Sequence, residues 1–303
     1  MGRTGEVSSM IGFGNKRYRF GMVDAAALLL VGALVLWFFH RVGAVLDYGW
    51  EWGAVPSYIL RRTDEGGWVP NLLLTGFFTT VKLSLWASLL ASVIGIPAGA
   101  MRAQGSPGQK LLGWVYVETI RNIPSLVLVF LFYFFISSQF LDLLGVDAWL
   151  RGRSEITRAI FSFLFAGEAQ INAFLSAVIT LAIYEGAYVT EIVRGGLLAV
   201  PFGQKEAARA TGLKEGQVFR YVILPQALRK IISPLAGQFI STIKDSAIMS
   251  VISIQELTFQ GMEVMAATFL TFEVWLTVTF LYFILTISLS QAAAFMDRRI
   301  AKY

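Results

Sequence analysis

The chain has 303 residues, of which 56% are hydrophobic and only 15% are charged. A soluble domain usually carries about 25% charged residues, so this composition favours a protein that lies in lipid. With no cysteine and a single histidine, His40, the chain excludes disulfides and thiolate or histidine-cluster metal sites, and we expect no metal. The net charge of +5 can indicate nucleic-acid binding, but the basic residues lie in loops beside apolar segments, so we expect none.

Six apolar segments approach or exceed the length of about 20 residues that a membrane-spanning helix needs. They are residues 22–39, 71–101, 115–138, 171–193, 231–254 and 268–295. The sequence therefore predicts an all-α integral membrane protein with about six transmembrane helices. Because the first segment is followed by a poor cleavage site, His40–Ala44, we expect it to stay as a helix and not to be removed as a signal peptide.

The basic residues of the short loops predict the orientation, because Lys and Arg favour the cytoplasmic side. They dominate the N-terminal tail, the loops after the second and fourth segments, and the C-terminal tail. Six spans with both termini in the cytoplasm place all of these inside. The loops 41–69, 139–170 and 255–267 then lie outside, and we expect the 139–170 loop to carry a small amphipathic segment.

In the third segment, Arg121-Asn122 precedes Pro124, which would weaken or break a helix at that point. A break inside a membrane leaves backbone groups that are tolerated only where they line a cavity or pack against protein. Arg121 is therefore a candidate for a structural or gating role.

Glu185 lies in the middle of the fourth segment, where an ionisable group is costly and indicates a functional site by default. Its carboxylate could hold the ammonium group of a substrate. The alternative is a protonated or internally paired acid that packs helices together. Near the end of the same segment, Glu191 and Arg194 stand at i,i+3 and can form a structural ion pair.

The segment Val200–Lys230, which follows, is basic and amphipathic. Pro201 suits the first turn of a helix, Gln204–Thr211 contains good helix formers, and Gly212 is a natural stop. A second amphipathic stretch is expected from Gln217, with Pro225 interrupting it.

Three small residues, Ala207, Ala208 and Ala210, leave the first of these helices with little side-chain bulk. Such a helix can lie deep in the groove of a partner protein. An ordinary interfacial amphipathic loop remains an equal alternative on physical grounds alone.

Lys244 and Asp245 fall inside the fifth segment, next to Ser246. Adjacent residues on a helix do not face each other, so the two charges must point to different neighbours or to a water-filled cavity. They are candidates for a substrate path or gate, or for structural pairing with other helices.

The residues Glu206-Ala207-Ala208, then Gly212, then Leu224-Pro225 stand at the spacing of the EAA loop of ABC importer permeases, which this segment resembles. The family's usual Ile before the Leu is Val222 here. In that family the loop docks the ATPase subunit.

Four further segments resemble the branch that takes up polar amino acids, which includes histidine, glutamine and glutamate/aspartate permeases. They are Asn71–Gly76, Ile120–Pro124, Ala187–Gly196 and Thr242–Leu257. The resemblance covers about residues 70–297. It leaves 1–69 as a cytoplasmic tail, an extra N-terminal helix and an external loop, and 298–303 as a cytoplasmic tail.

The resemblance implies a five-helix permease core plus one N-terminal helix in a bacterial inner membrane. It implies a dimer of ATPase subunits that binds ATP and Mg, a second permease copy or a sister permease, and a periplasmic or lipid-anchored substrate-binding protein. No cofactor is expected in this chain. The implied ATPase-coupling residues are Glu206, Ala207, Ala208, Gly212, Leu224 and Pro225. The candidate substrate path or gate residues are Glu185, Lys244, Asp245, Ser246 and Arg121.

The function implied by the resemblance is translocation of a polar amino acid, such as glutamate/aspartate or glutamine. A basic amino acid or an opine remains open as the substrate. A membrane-embedded enzyme is disfavoured because a single histidine and no cysteine leave few catalytic groups to converge at membrane depth. No phosphate-binding loop, His-Glu-x-x-His or Gly-x-Ser-x-Gly pattern is present, so ATP hydrolysis must come from another chain. A non-transport scaffold would not require the pattern from Glu206 to Pro225.

Overall fold

A computed structural model describes residues 21–46, 48–137, 139, 141, 143 and 145–300. The predicted N-terminal tail up to residue 20 and the last three residues of the predicted C-terminal tail lie outside this range. The chain divides into two compact units, Met1–Trp50 and Glu51–Tyr303. The first unit contains helix α1 (Met22–Leu46), which is apolar enough over Met22–Ala44 to cross a membrane.

The second unit begins with a short helix and a hairpin, where the sequence predicted only an external loop. Helix α2 (Val55–Ile59) leads into strand β1 (Leu60–Arg62), which pairs antiparallel with strand β2 (Trp68–Pro70). The side chain of Asn71 donates to the carbonyl of Ser57 at 2.6 Å, which ties α2 to the start of the next helix.

Two long helices, α3 (Leu72–Gln104) and a later helix α8 (Ile171–Leu198), form the centre of this unit. They touch through glycines. A Cβ atom at Gly95 would lie 2.6 Å from Cβ of Val189, and one at Gly99 would lie 2.7 Å from the carbonyl oxygen of Thr190. Such small residues are what allow helix backbones to approach closely within a membrane.

Helices α4 (Pro107–Asn122) and α5 (Ser125–Phe130) follow α3, and the second continues as a π-helix over Leu131–Ser137. The two helices are bent by 111° at a break next to Pro124. The predicted break at this proline is confirmed, because Ile123 and Pro124 adopt extended backbone that no helix can include.

The loop predicted to carry an amphipathic segment contains helices α6 (Val146–Arg151) and α7 (Glu155–Leu164). Ser154 caps α7 by accepting from the backbone N–H of Thr157. The indole of Trp86 on α3 donates to the carbonyl of Leu164 at 2.9 Å, which fixes the end of α7 against the long helix.

After α8, the chain forms helices α9 (Phe202–Ala210) and α10 (Glu215–Val218), then a π-helical turn over Phe219–Ile223. Helix α11 (Leu224–Asp245) continues directly from it. The sequence predicted an interruption at Pro225, but the helical path continues through it, and only the hydrogen-bonding pattern changes there from π to α. Pro225 itself lies in the first turn of α11, where the missing N–H costs little.

A 3₁₀ helix over Ser246–Ile252 leads from α11 to helices α12 (Leu257–Thr268) and α13 (Thr271–Ile300). The external loop expected over 255–267 is therefore largely a helix. Glu256, fully buried, caps it by accepting from the N–H of Phe259 at 2.8 Å.

In the described part of the chain, four helices are long and apolar enough to cross a membrane, or five if the bent pair α4–α5 counts as one span. Helix α11, the fifth predicted span, carries Arg229 and Lys230 near one end and Lys244 and Asp245 at the other. The architecture is the predicted all-α membrane fold, but its described residues give four or five candidate spans where the sequence predicted about six.

Candidate functional site

The predicted coupling residues divide between the surface and the interior of the loop. Glu206 and Ala207 lie exposed on α9, whereas Ala208 is buried. The small residues of α9 therefore lie on two sides of the helix, because Ala208 packs inward and Ala207 remains at the surface. Thr211 closes the helix by donating its hydroxyl to the carbonyl of Ala208 at 2.7 Å.

Gly212 ends this helix as predicted, with a φ of +82° that a residue with a side chain rarely adopts. Immediately around it, Arg209 and Glu215 form a two-point ion pair, with nitrogen–oxygen distances of 2.7 and 3.0 Å. The hydrogen bonds from Arg209 lower the pKa of the Glu215 carboxyl and raise the pKa of Arg209. The pair joins the end of α9 to the start of α10.

Beneath the exposed surface, the loop packs on the ends of α8 and α11 through one apolar cluster. Its members include the buried side chains Val200, Ala208, Val218, Ile223, Ala227 and Ile231. Of the other predicted coupling residues, Leu224 is half-buried and Pro225 is exposed. Packed side chains therefore connect α9 to both α8 and α11.

Glu185 is fully buried on α8 and lines a cavity of about 260 Å³ between α3, α8 and α11. The polar side chains of this lining are Ser88, Ser92, Glu185, Gln238 and Thr242. Oε2 of Glu185 accepts a hydrogen bond from the amide of Gln238 at 2.6 Å. Oε1 has no hydrogen-bond partner among the described residues. Glu185 therefore lines the cavity with one buried carboxyl oxygen that no described side chain satisfies.

The three predicted path residues near the end of α11 have different environments. Asp245 is half-buried, and its carboxyl lies close enough to that of Glu185 for the two to interact electrostatically. Lys244 is exposed, as expected if neighbouring charges point in different directions. Ser246 is buried and donates to the carbonyl of Ile243 at 2.8 Å, so its hydroxyl is used within the backbone turn.

Arg121 contacts α8 about one turn after Glu185. Its guanidinium carbon lies 5.3 Å from the ring centroid of Tyr188, a cation–π contact. The hydroxyl of Tyr188 lies 3.1 Å from that of Tyr184, the residue next to Glu185. The break beside Pro124 is thus connected to the neighbourhood of Glu185 through two tyrosines.

The sequence analysis did not identify Gln238, the side chain that donates a hydrogen bond to Glu185. A signal was present, because Gln238, Thr242 and Asp245 stand at i, i+4 and i+7 and form one polar stripe on a helix. It also missed Tyr184 and Tyr188 as the link to Arg121. The predicted pair of Glu191 and Arg194 is confirmed, with an oxygen–nitrogen distance of 2.7 Å, and Arg102 of α3 joins the same carboxylate.

Comparison with known proteins gives a family match over residues 91–302 to the binding-protein-dependent transport system inner membrane component. The glutamine transport system permease protein GlnP of Escherichia coli (strain K12) is 36% identical over 222 residues, which is 72% of this chain and 90% of GlnP. The glutamate/aspartate import permease protein GltJ of the same strain is 28% identical over 256 residues, or 84% of this chain and 96% of GltJ.

Among solved structures, an amino acid ABC transporter with histidines aligns with a TM-score of 0.60 and 32% sequence identity. The alignment covers 75% of this chain and 94% of that one. Family match, relatives and fold agree with one another. The chain belongs to the family of binding-protein-dependent inner membrane components, the membrane-spanning permease subunits of ABC importers.

Proposed function

We propose that this permease carries a polar amino acid across the bacterial inner membrane and that Glu185 binds the ammonium group of the substrate. The observation that carries the proposal is the carboxyl of Glu185, which faces a cavity with one oxygen held by Gln238 and the other without a partner among the described residues. An acid at membrane depth is costly and usually marks a substrate or ion path. Relatives named for glutamine and for glutamate/aspartate support the substrate class.

A basic amino acid is the second candidate, and a specific observation favours it. Asp245 lies within electrostatic range of Glu185, so two carboxyls meet near one cavity. Two acids can bind a substrate that carries two cationic groups, whereas glutamate would bring its own negative charge towards them.

The energy for transport would come from a dimer of ATPase subunits that binds ATP and Mg. We place its docking surface on α9, where Glu206 and Ala207 are exposed over a buried Ala208. An exposed small face above a packed apolar base fits the groove of a partner. Closure of the ATPase subunits would displace α9 and, through the apolar cluster below it, change the cavity, as alternating access requires.

A second permease copy or a sister permease would complete the pore. Leu85 and Leu89 line the cavity and are 45% and 50% exposed, so the cavity opens onto a surface that a second subunit can cover. The charges of the loops support cytoplasmic termini, and the substrate-binding protein would then act on the opposite side of the membrane. In this arrangement residues 70–297 form the transport domain, while 1–69 add a tail, one helix and an external segment.

The experiment that tests the function is ATP hydrolysis by the whole complex in lipid discs. The permease is purified with its ATPase, and the substrate-binding protein is added loaded with each of a panel of acidic, amide and basic amino acids. Stimulation by one chemical class identifies the substrate. A complex that hydrolyses ATP without responding to any amino acid would overturn the substrate proposal. Retention of coupled hydrolysis in Glu206→Lys would overturn the docking surface.

A further inference from the structure

A second cavity, of about 420 Å³, lies outside the substrate region, where the ends of α3 and α8 meet the first half of α4. It is lined by Arg102, Pro107, Lys110, Leu111, Trp114 and Arg194. Three of these six residues are cations and two are large apolar side chains. It lies at the end of α8 that leads into the coupling loop.

Positive charge exceeds negative charge around this cavity. Glu191 is shared by Arg102 and Arg194, and Glu118 and Arg121 lie within electrostatic range of Arg102. The local charges are therefore the cations Arg102, Lys110, Arg121 and Arg194 against the carboxylates Glu118 and Glu191. Within the described part of the chain, Lys110 has no ion pair at all. An anion that enters the cavity meets two positive charges that the protein does not neutralise.

One cation of the cavity, Arg102, is held in place before anything binds. The stem of Arg102 runs under α4 at Gly113, where a Cβ atom would lie 2.5 Å from Cγ of Arg102. The Arg102 side chain is consequently only 12% exposed. A guanidinium fixed in this way loses little conformational freedom when it binds an anion.

The rim of the cavity indicates what kind of anion fits. Leu111 and Trp114 line it and are 58% and 51% exposed, and Leu112 and Val115 extend the same apolar surface along α4. A small inorganic anion gains nothing from such a surface. A phospholipid gains from both parts, because its phosphate pairs with cations while its acyl chains cover apolar side chains and its interface suits Trp.

We propose that this cavity binds the phosphate of an anionic phospholipid, with the acyl chains lying along the exposed apolar face of α4. The lipid then bridges the ends of α3, α4 and α8 beside the loop that receives the ATPase. Lipid composition would in this way affect the helices next to the coupling site.

The test measures binding of phosphatidylglycerol and phosphatidylcholine to the intact permease–ATPase complex by native mass spectrometry in detergent. We expect phosphatidylglycerol to bind preferentially, and Lys110→Gln to weaken that binding about fivefold, the electrostatic contribution of one cation at a membrane surface. Lys110 is exposed, so its replacement leaves the fold intact. Lys214→Gln is the matched control. Lys214 lies on the coupling loop and is exposed like Lys110, but it does not line the cavity.

Four outcomes would overturn the proposal. Equal affinity for the two lipids would exclude recognition of the anionic headgroup, and equal weakening by Lys214→Gln would reduce the effect to diffuse surface charge. Displacement of the lipid by millimolar inorganic phosphate would indicate a site for a free anion. Binding of phosphatidylglycerol by the permease alone, but not by the complex, would assign the cavity to an ATPase contact.

Discussion

Helices α8 and α11 meet differently at two places along their length. At Gly196 they are in direct contact, since a Cβ atom there would lie 2.2 Å from Cγ1 of Ile231 and 3.5 Å from the carbonyl oxygen of Ala227. About three turns earlier on α8, at Glu185, the same helices are joined by a polar pair beside a cavity of about 260 Å³. We call these the closed end and the open end of the helix pair.

The difference suggests how a docked ATPase can act on the substrate path. The closed end continues into the apolar cluster under the coupling loop, and packed side chains of that kind transmit displacement because they cannot be compressed. The open end contains a cavity beside the hydrogen bond from Gln238 to Glu185, so it can change shape at low cost. Motion that enters at α9 is therefore expected to appear at Glu185.

The largest expected effect is at the open end, on Glu185→Gln. The amide keeps the shape and can still accept from Gln238, but it removes the charge that is proposed to bind the substrate's ammonium group. A hydrogen bond to a charged group contributes about 1.5–3 kcal/mol, so uptake into proteoliposomes should fall about 10-fold to 100-fold. The matched control is Glu263→Gln, which removes a carboxylate exposed on α12. Equal uptake by wild type and Glu185→Gln would show that Glu185 only packs helices.

The closed end is tested by two neighbouring glycines. Gly196→Ala places a methyl group against Ile231 and should destabilise the permease by about 1–3 kcal/mol. Gly195→Ala makes the same chemical change where nothing lies within 4 Å, so it should be neutral or slightly stabilising through its better helix propensity. Thermal unfolding of both variants in detergent measures the difference. Equal stability of the two would mean that the closed end is not tightly packed.

Features that depend on neighbouring residues could be predicted from the sequence. Features that depend on tertiary contacts between distant segments could not. The break at Pro124, the helix end at Gly212 and the pair of Glu191 with Arg194 each depend on residues a few positions apart. The contact of Glu185 with Gln238 joins residues 53 positions apart, and only the packing of α8 on α11 determines it. The helix within 255–267 was not predicted, because a 12-residue helix is too short to resemble a membrane span.

A smaller effect is expected from the hydrogen bond that Gln238 donates to Glu185. Gln238→Leu leaves the carboxyl of Glu185 without this donor, and a typical hydrogen bond contributes about 0.5–1.5 kcal/mol, or about 2-fold to 10-fold in uptake. The double variant Glu185→Gln/Gln238→Leu completes a cycle that isolates the coupling between the two side chains. Strictly additive effects on uptake would mean that Gln238 does not act through Glu185.

The smallest effect concerns the surface pair of Arg209 and Glu215, at the far side of the closed end. Because Arg209 lowers the pKa of Glu215 below its ordinary value of 4.5, the pair's contribution to stability is present above that value and is lost as the pH falls through the lower, folded-state pKa. Hydrogen exchange in the segment 202–218, corrected for intrinsic rates, should rise below pH 4.5 in the wild type. Glu215→Gln should remove that dependence, and the charge-swapped variant Arg209→Glu/Glu215→Arg should restore it. If Glu215→Gln left the pH dependence of hydrogen exchange unchanged, another acid would be responsible for it. The stability of the coupling loop at the closed end would then not depend on this pair.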